Sequence, residues 1–237
     1  MNIDIIRYNN SQNIIKTSDF HSNDPIQLWL EKQFQNWIPE GPIPKISYQR
    51  RRGPKKRGQG QTLPLEELAK IRYSFLNEPT LCHSSPKDLW TPLADKGAYE
   101  KAFGIDGELH EMWSKEEFRR CLLAIALYFR IEDKIEEEGK TDPTLKRMKR
   151  LRFHALSLAG LYVGKASDHK KVDELLADAS RFDKWFEDFW SEGRRIIIDA
   201  LLTMDEQKTT LHSYIRSTDR WESMIKRFSK FVRLSPQ

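Results

Sequence analysis

The chain has 237 residues, of which 38% are hydrophobic and 11% aromatic, so it can bury a sizeable core and is not a disordered polymer. Its 40 Lys and Arg against 35 Asp and Glu give a formal net charge of +5, which matters only where the excess is clustered. Two cysteines are too few for a disulfide framework, and the six histidines lack the spacing of metal ligands. No apolar run reaches the ~20 residues that span a bilayer. We therefore predict a cytoplasmic protein without metal, cofactor or membrane association.

The first part of the chain is predicted to mix short strands with a helix. In chain order, the expected elements are a strand at 2–8, an amide-rich turn or cap at 9–13, a helix from Asp24 to Trp37 and a strand at 45–51. Asp24 is a favourable N-cap, and Pro25 suits the first helical position. The apolar residues that follow recur at helical spacing, which indicates that one face is buried.

From Pro64 onward the patterns are almost entirely helical. Helices are expected from Pro64, from Ser85 to Trp90, at 97–103, from Ser114, from Asp142 to Tyr162, from His169 to Phe189 and from Thr209 to Phe228. Ser114 and Glu117 form a capping box in front of an apolar run. The predicted fold is mainly α, with a small α+β N-terminal region at 1–112 followed by a helical bundle or array at 113–237.

The densest cluster of positive charge lies at 45–57, where seven of thirteen residues are cationic. No acidic residue occurs between Glu40 and Glu66. Arginine contacts phosphate oxygens bidentately, and the neighbouring glycines and proline disfavour a helix. This pattern predicts nucleic-acid binding by Tyr48, Arg50, Arg51, Arg52, Lys55, Lys56 and Arg57, with a ring of Tyr48 available for stacking. The alternative is a solvated loop without a partner.

A second basic patch lies on the helix expected after Asp142. Lys146, Arg147, Lys149 and Arg150 share its outward face, with no acidic residue among them. We predict Arg147 and Arg150 as further phosphate contacts. A solvated helix face is the alternative.

Catalytic patterns are weak in this chain. Asp133 followed by Glu138, Gly139 and Lys140 has the D…ExK spacing of metal-dependent nucleases, whose carboxylates converge on Mg²⁺ from a strand. Here the residues fall at the charged end of a helix, where solvated carboxylates are the simpler interpretation. We predict a protein that is not an enzyme, with a nuclease as the alternative.

The order of motifs up to Phe103 resembles the AIPR family, bacterial proteins named for abortive-infection phage resistance. The matching pieces are 10–16, Ser18–Phe20, Ser22–Gln27, Tyr48–Gly53, Leu89–Trp90 and Tyr99–Phe103. The chain is similar to the later, C-terminal portion of family members, which are usually much longer. Their earlier portion, with its Asn-Gly-x-Gln type motif, has no counterpart here.

The resemblance implies a component of a phage-defence system, acting beside other defence proteins or the missing N-terminal portion. It points to Asn10, Gln12 and Asn13 as ligand-binding amides or as a structural turn, and again to Tyr48 and the arginines that follow it. It implies no defined reaction. A non-catalytic helical scaffold of a defence complex is therefore the alternative to a nucleic-acid-binding component.

Overall fold

The structure, a computed structural model, describes residues 17–51, 60–76, 79–84, 86–92, 97–105, 107–164 and 169–234. Its strands are β1 (Ile46–Gln49) and β2 (Gln61–Pro64), and 3₁₀ turns occupy Pro86–Trp90 and Lys149–Leu151. Its helices are α1 (Thr17–His21), α2 (Pro25–Asn36), α3 (Leu65–Leu76), α4 (Leu81–Ser84), α5 (Tyr99–Phe103), α6 (Lys115–Glu138), α7 (Pro143–Met148), α8 (Arg152–Tyr162), α9 (His169–Ala177), α10 (Ala179–Glu206), α11 (Leu211–Ile215) and α12 (Thr218–Leu234). The predicted fold class, mainly α with a small sheet near the N-terminus followed by a helical array, is confirmed.

The sheet consists of β1 and β2, which pair in parallel with Ile46 opposite Gln61 and Tyr48 opposite Leu63. The strand predicted at 45–51 is therefore present, whereas the strand expected at 2–8 and the turn at 9–13 lie outside the described residues. Gly60 leads into β2 with a φ of +82°, and a Cβ there would lie 2.2 Å from the carbonyl oxygen of Lys45. Only glycine fits this entry to the second strand.

Helix α6 is the central element of the helical part. Its N-cap is the predicted one, because the Ser114 hydroxyl accepts a hydrogen bond from the backbone N–H of Glu117 at 3.1 Å. Nearly all of its apolar side chains are buried, and it packs against α3, α8 and α9. No described helix combines the length and apolar character needed to cross a membrane.

Three of the expected long helices are interrupted, so those predictions were wrong in extent. The helix from Asp142 to Tyr162 breaks at the 3₁₀ turn, where the Arg152 side chain donates to the freed carbonyl of Lys149 at 3.0 Å. The helix from His169 stops before Asp178, whose carboxylate caps α10 by accepting from the N–H groups of Ser180 and Arg181. The last helix divides between α11 and α12.

The core is continuous from α2 to α12. Side chains contact each other across the expected boundary at 112/113, as when Phe34 packs edge-to-face on Phe118 with ring centroids 5.4 Å apart. Arg72 of α3 and Glu117 of α6 form a buried ion pair at 2.6 Å across the same boundary. The loop before α6 therefore separates two regions of sequence that share one hydrophobic core.

Candidate functional site

A buried polar network joins most of the motif segments that carry the family resemblance. The Tyr48 hydroxyl donates to Gln27 Oε1 at 2.5 Å, and Gln27 Nε2 donates to the Tyr99 hydroxyl at 3.3 Å. Tyr99 in turn donates to Asp24 Oδ2 at 2.6 Å. Burial raises the pKa of Tyr48 and of Tyr99 well above the ordinary value, and the hydrogen bond to Asp24 raises the pKa of Tyr99 further. Both hydroxyls therefore stay protonated as donors. The network therefore connects the start of α2 to β1 and α5.

His21 extends this network to the 3₁₀ turn Pro86–Trp90. Its Nδ1 lies 2.8 Å from Asp24 Oδ2, and its Nε2 lies 2.8 Å from the carbonyl oxygen of Trp90. Each ring nitrogen therefore lies within hydrogen-bond distance of an oxygen atom. The ring also packs on Tyr99 with centroids 4.1 Å apart.

The network fixes the end of β1, where the first arginines of the basic segment emerge. Arg50 is largely buried and donates through Nε to Glu31 at 2.7 Å and through Nη1 to the Ser22 carbonyl at 3.0 Å. Arg51 is exposed and donates to Asn23 Oδ1 at 2.7 Å. Arg50 thus clamps β1 to the α1–α2 turn, whereas Arg51 keeps most of its guanidinium in solvent.

The other residues of this segment that were predicted to bind nucleic acid lie either in the core or outside the described residues. The ring of Tyr48 is buried against Phe34, with centroids 5.4 Å apart, so its place in this structure is in the core. Arg52, Lys55, Lys56 and Arg57 lie outside the described residues, as do Asn10, Gln12 and Asn13. Their roles remain predictions.

A groove of about 1060 Å³ lies beside Gly60, the residue at which the described chain resumes after the basic segment. One wall is the start of β2 and the second half of α6, and the other runs from α7 to the start of α8. The groove is lined by four cationic and three acidic residues: Lys140, Lys146, Lys149, Arg152, Glu132, Asp133 and Glu136. The groove therefore brings the start of β2, which follows the basic segment in the sequence, together with Lys146 and Lys149 of the second basic patch.

The cationic side chains of the groove differ in whether they form hydrogen bonds and ion pairs with other residues of the protein. Arg152 at the floor donates to the Tyr128 hydroxyl at 3.0 Å and lies 3.4 Å from Glu132. Lys146 and Lys149 at the rim are exposed, and in the described part of the chain neither forms an ion pair. Lys140, at the end of α6, is likewise exposed and without an ion pair among the described residues, so these three lysines are available cationic groups of the groove.

The two arginines of the second basic patch that were predicted to contact phosphate also differ in whether they form an ion pair. Arg147 forms a bidentate pair with Asp205, both N–O distances being 2.8 Å, and this pair joins α7 to α10. Arg150 is exposed, without an ion pair among the described residues, one position beyond Lys149. The spacing of apolar and charged residues along α7 correctly predicted its outward face. It gave no indication that Asp205, which is distant in the sequence, would face Arg147.

The nuclease-like spacing is not assembled at one place. Glu138 faces away from the groove residues: it accepts from the indole of Trp190 at 2.8 Å and pairs with Arg194 at 2.5 Å. Asp133 and Lys140 line the groove without it. Among the residues that the structure describes, no group of three or more His, Cys, Asp or Glu is placed to hold a metal ion.

Comparison with known proteins gives one informative match. A family model described as AIPR protein matches residues 1–200, which is most of the chain and includes the polar network and the groove. Neither the curated proteins nor the solved structures contain a significant match.

Proposed function

This chain belongs to the AIPR family, and from that membership we propose that it is a nucleic-acid-binding component of a bacterial phage-defence system. The family name suggests the role in abortive infection. The binding surface that we propose consists of the groove residues Lys146 and Lys149, the neighbouring exposed Arg150, and the basic segment 51–57.

One observation carries the proposal: the exposed Lys146 and Lys149 line the same groove as Gly60, which closely follows the basic segment in the sequence. Each cation that contacts a phosphate releases condensed counterions, which gives affinity without reading sequence. The acidic residues of α6 repel phosphates, so the strand is expected to follow the cationic wall rather than fill the groove.

Fluorescence anisotropy with labelled single- and double-stranded DNA and RNA at low salt tests this proposal. Replacing Lys146, Lys149 and Arg150 by alanine is expected to weaken binding at least tenfold. The matched control replaces Lys32, Lys115 and Lys184, three exposed lysines elsewhere on the surface, and removes the same charge. Absence of binding by the wild type, or equal losses in the two variants, would contradict the proposal.

The same binding assay, combined with thermal unfolding of each variant, separates the two parts of the basic segment. Replacing Lys55, Lys56 and Arg57 is expected to weaken binding without changing thermal stability. Replacing Arg50 is expected to lower the melting temperature, because Glu31 then loses its partner and the Ser22 carbonyl loses a donor.

A folded wild type that binds no nucleic acid would instead favour a non-catalytic scaffold of a defence complex. Cleavage of plasmid with added Mg²⁺ would favour a nuclease.

A further inference from the structure

A small cavity of about 200 Å³ lies between α10, α11 and α12, apart from the groove. Its polar lining consists of Thr203, Gln207, Tyr214, Arg220, Ser223 and Arg227. Two of these residues are arginines, and no carboxylate is among the described residues that line the cavity. The family match ends at residue 200, so nearly all of this lining lies beyond it.

Arg220 is held in place yet retains an unused donor. Its Nη2 donates to Gln207 Oε1 and to Thr209 Oγ1, both at 3.2 Å, and its guanidinium lies 4.5 Å from the centre of the Tyr214 ring. Its Nη1 is buried and has no hydrogen-bond partner. A buried cationic donor without a partner is costly, so an acceptor in the cavity would be favourable there.

Two further groups add donors and charge. Burial raises the pKa of Tyr214, although Arg220 and Arg227 oppose that rise, so its hydroxyl is protonated at neutral pH. Arg227 is exposed at the mouth of the cavity. The carboxylates of Glu192 and Asp199 line an adjacent depression that shares Arg227, but Arg195 pairs with both, at 2.9 Å and 3.3 Å.

We propose that this cavity binds a phosphate group, with Arg220 and Arg227 as its cationic ligands. Arginine forks match the geometry of phosphate oxygens, and a tyrosine hydroxyl supplies a further donor. The cavity volume of about 200 Å³ suits a phosphate with a few attached atoms rather than a whole nucleotide. The site is separate from the proposed nucleic-acid surface, and either proposal can fail alone.

Thermal unfolding in phosphate, against chloride at equal ionic strength, tests the site. The wild type is expected to melt at higher temperature as inorganic phosphate is added, because a ligand that binds only the folded state stabilises it. Arg227→Gln is expected to lose this shift and to weaken phosphate binding in calorimetry by about tenfold or more. The exposed neighbour Lys226→Gln is the matched control and is expected to behave as the wild type.

Parallel titrations with 5′-AMP and adenosine identify the source of the phosphate group. Tighter binding of 5′-AMP than of inorganic phosphate assigns the site to an organic phosphate monoester, and equal affinity assigns it to free phosphate. Adenosine is expected to have no effect. Equal melting temperatures of the wild type in phosphate and chloride would overturn the proposal. So would a phosphate shift of the same size in Arg227→Gln, because that is general salting-out.

Discussion

Two histidines, the buried His154 and the partly buried His83, stack on each other in the helical part of the fold. The rings of His83 and His154 stack with centroids 5.5 Å apart, and His154 packs edge-to-face on Trp221. Burial lowers the pKa of His83 to about 4 and that of His154 to about 3, and nearby cations lower the former further. His83 Nε2 and His154 Nδ1 have no hydrogen-bond partner in the described structure. Both rings are therefore neutral at physiological pH.

This pair makes stability sensitive to acid. Below about pH 6.5 these histidines bind protons in the unfolded chain but stay neutral in the folded chain. The free energy of unfolding therefore falls until the pH reaches the folded-state pKa values. At about pH 5 the two histidines together would oppose folding by about 4 kcal/mol. We expect the melting temperature to drop between neutral pH and pH 5, and His154→Leu to remove about half of that drop. His110→Leu, at an exposed position, is the control; an unchanged drop in His154→Leu would contradict this account.

Residue roles were predictable where they depend on local sequence and unpredictable where they depend on tertiary contacts. The Ser114–Glu117 capping box is a local motif, and the structure contains it. Asp24 does precede α2, but its side chain makes no cap bond and instead accepts from Tyr99, which lies 75 positions away. Arg147 looked like Arg150 in the sequence because its partner, Asp205, belongs to another helix.

At the scale of elements, a buried ion pair ties α3 to α6. Arg72 bonds Glu117 at 2.6 Å and the Gly104 carbonyl at 3.0 Å, with the Trp113 ring 4.0 Å from the guanidinium carbon. Glu117→Ala leaves a buried cation without its counter-ion, and we expect a loss of about 3–5 kcal/mol in the free energy of urea unfolding.

The double variant Arg72→Met with Glu117→Leu separates charge from packing. Because it removes both buried charges, it is expected to recover most of the loss seen in Glu117→Ala. A double variant no more stable than the single one would mean that the pair itself, rather than the uncompensated charge, holds the helices together.

The packing of α8 on α3 depends on a single glycine. A Cβ on Gly160 would lie 2.2 Å from the carbonyl oxygen of Phe75, which cannot move without shifting α3. We expect Gly160→Ala to destabilise the protein by about 1–3 kcal/mol in thermal or urea unfolding. Gly193→Ala, where the nearest atom belongs to the Phe189 side chain, is the helical control and is expected to cost much less. Equal costs at the two sites would contradict the close approach.

The extents of the elements show why periodicity alone was insufficient. Helical spacing continues across Asp178, so one helix was expected, whereas the Asp178 carboxylate caps a new one. The same spacing continues through Lys149–Leu151, where the backbone tightens into a 3₁₀ turn. That turn borders the groove, because Lys149 lies within it and Lys146 just before it, and both line the groove.

At the scale of the whole molecule, the predicted basic segment was only half of the proposed surface. Gly60 and Lys146 are far apart in the sequence, and neither charge nor periodicity indicated that both line one groove. The parallel pairing of β1 and β2 returns the chain to Gly60, on the wall of that groove. The polar network around Tyr99 supports the other end of the segment by fixing Tyr48.

The salt dependence of nucleic-acid binding tests the proposed surface most directly. We expect the logarithm of the association constant to fall linearly with the logarithm of salt concentration. The Lys146, Lys149 and Arg150 triple alanine variant should have a slope shallower by about 2 to 3, because three phosphate contacts are lost. The control that lacks Lys32, Lys115 and Lys184 should keep the wild-type slope. Identical slopes for wild type and groove variant, or binding indifferent to salt, would contradict the account.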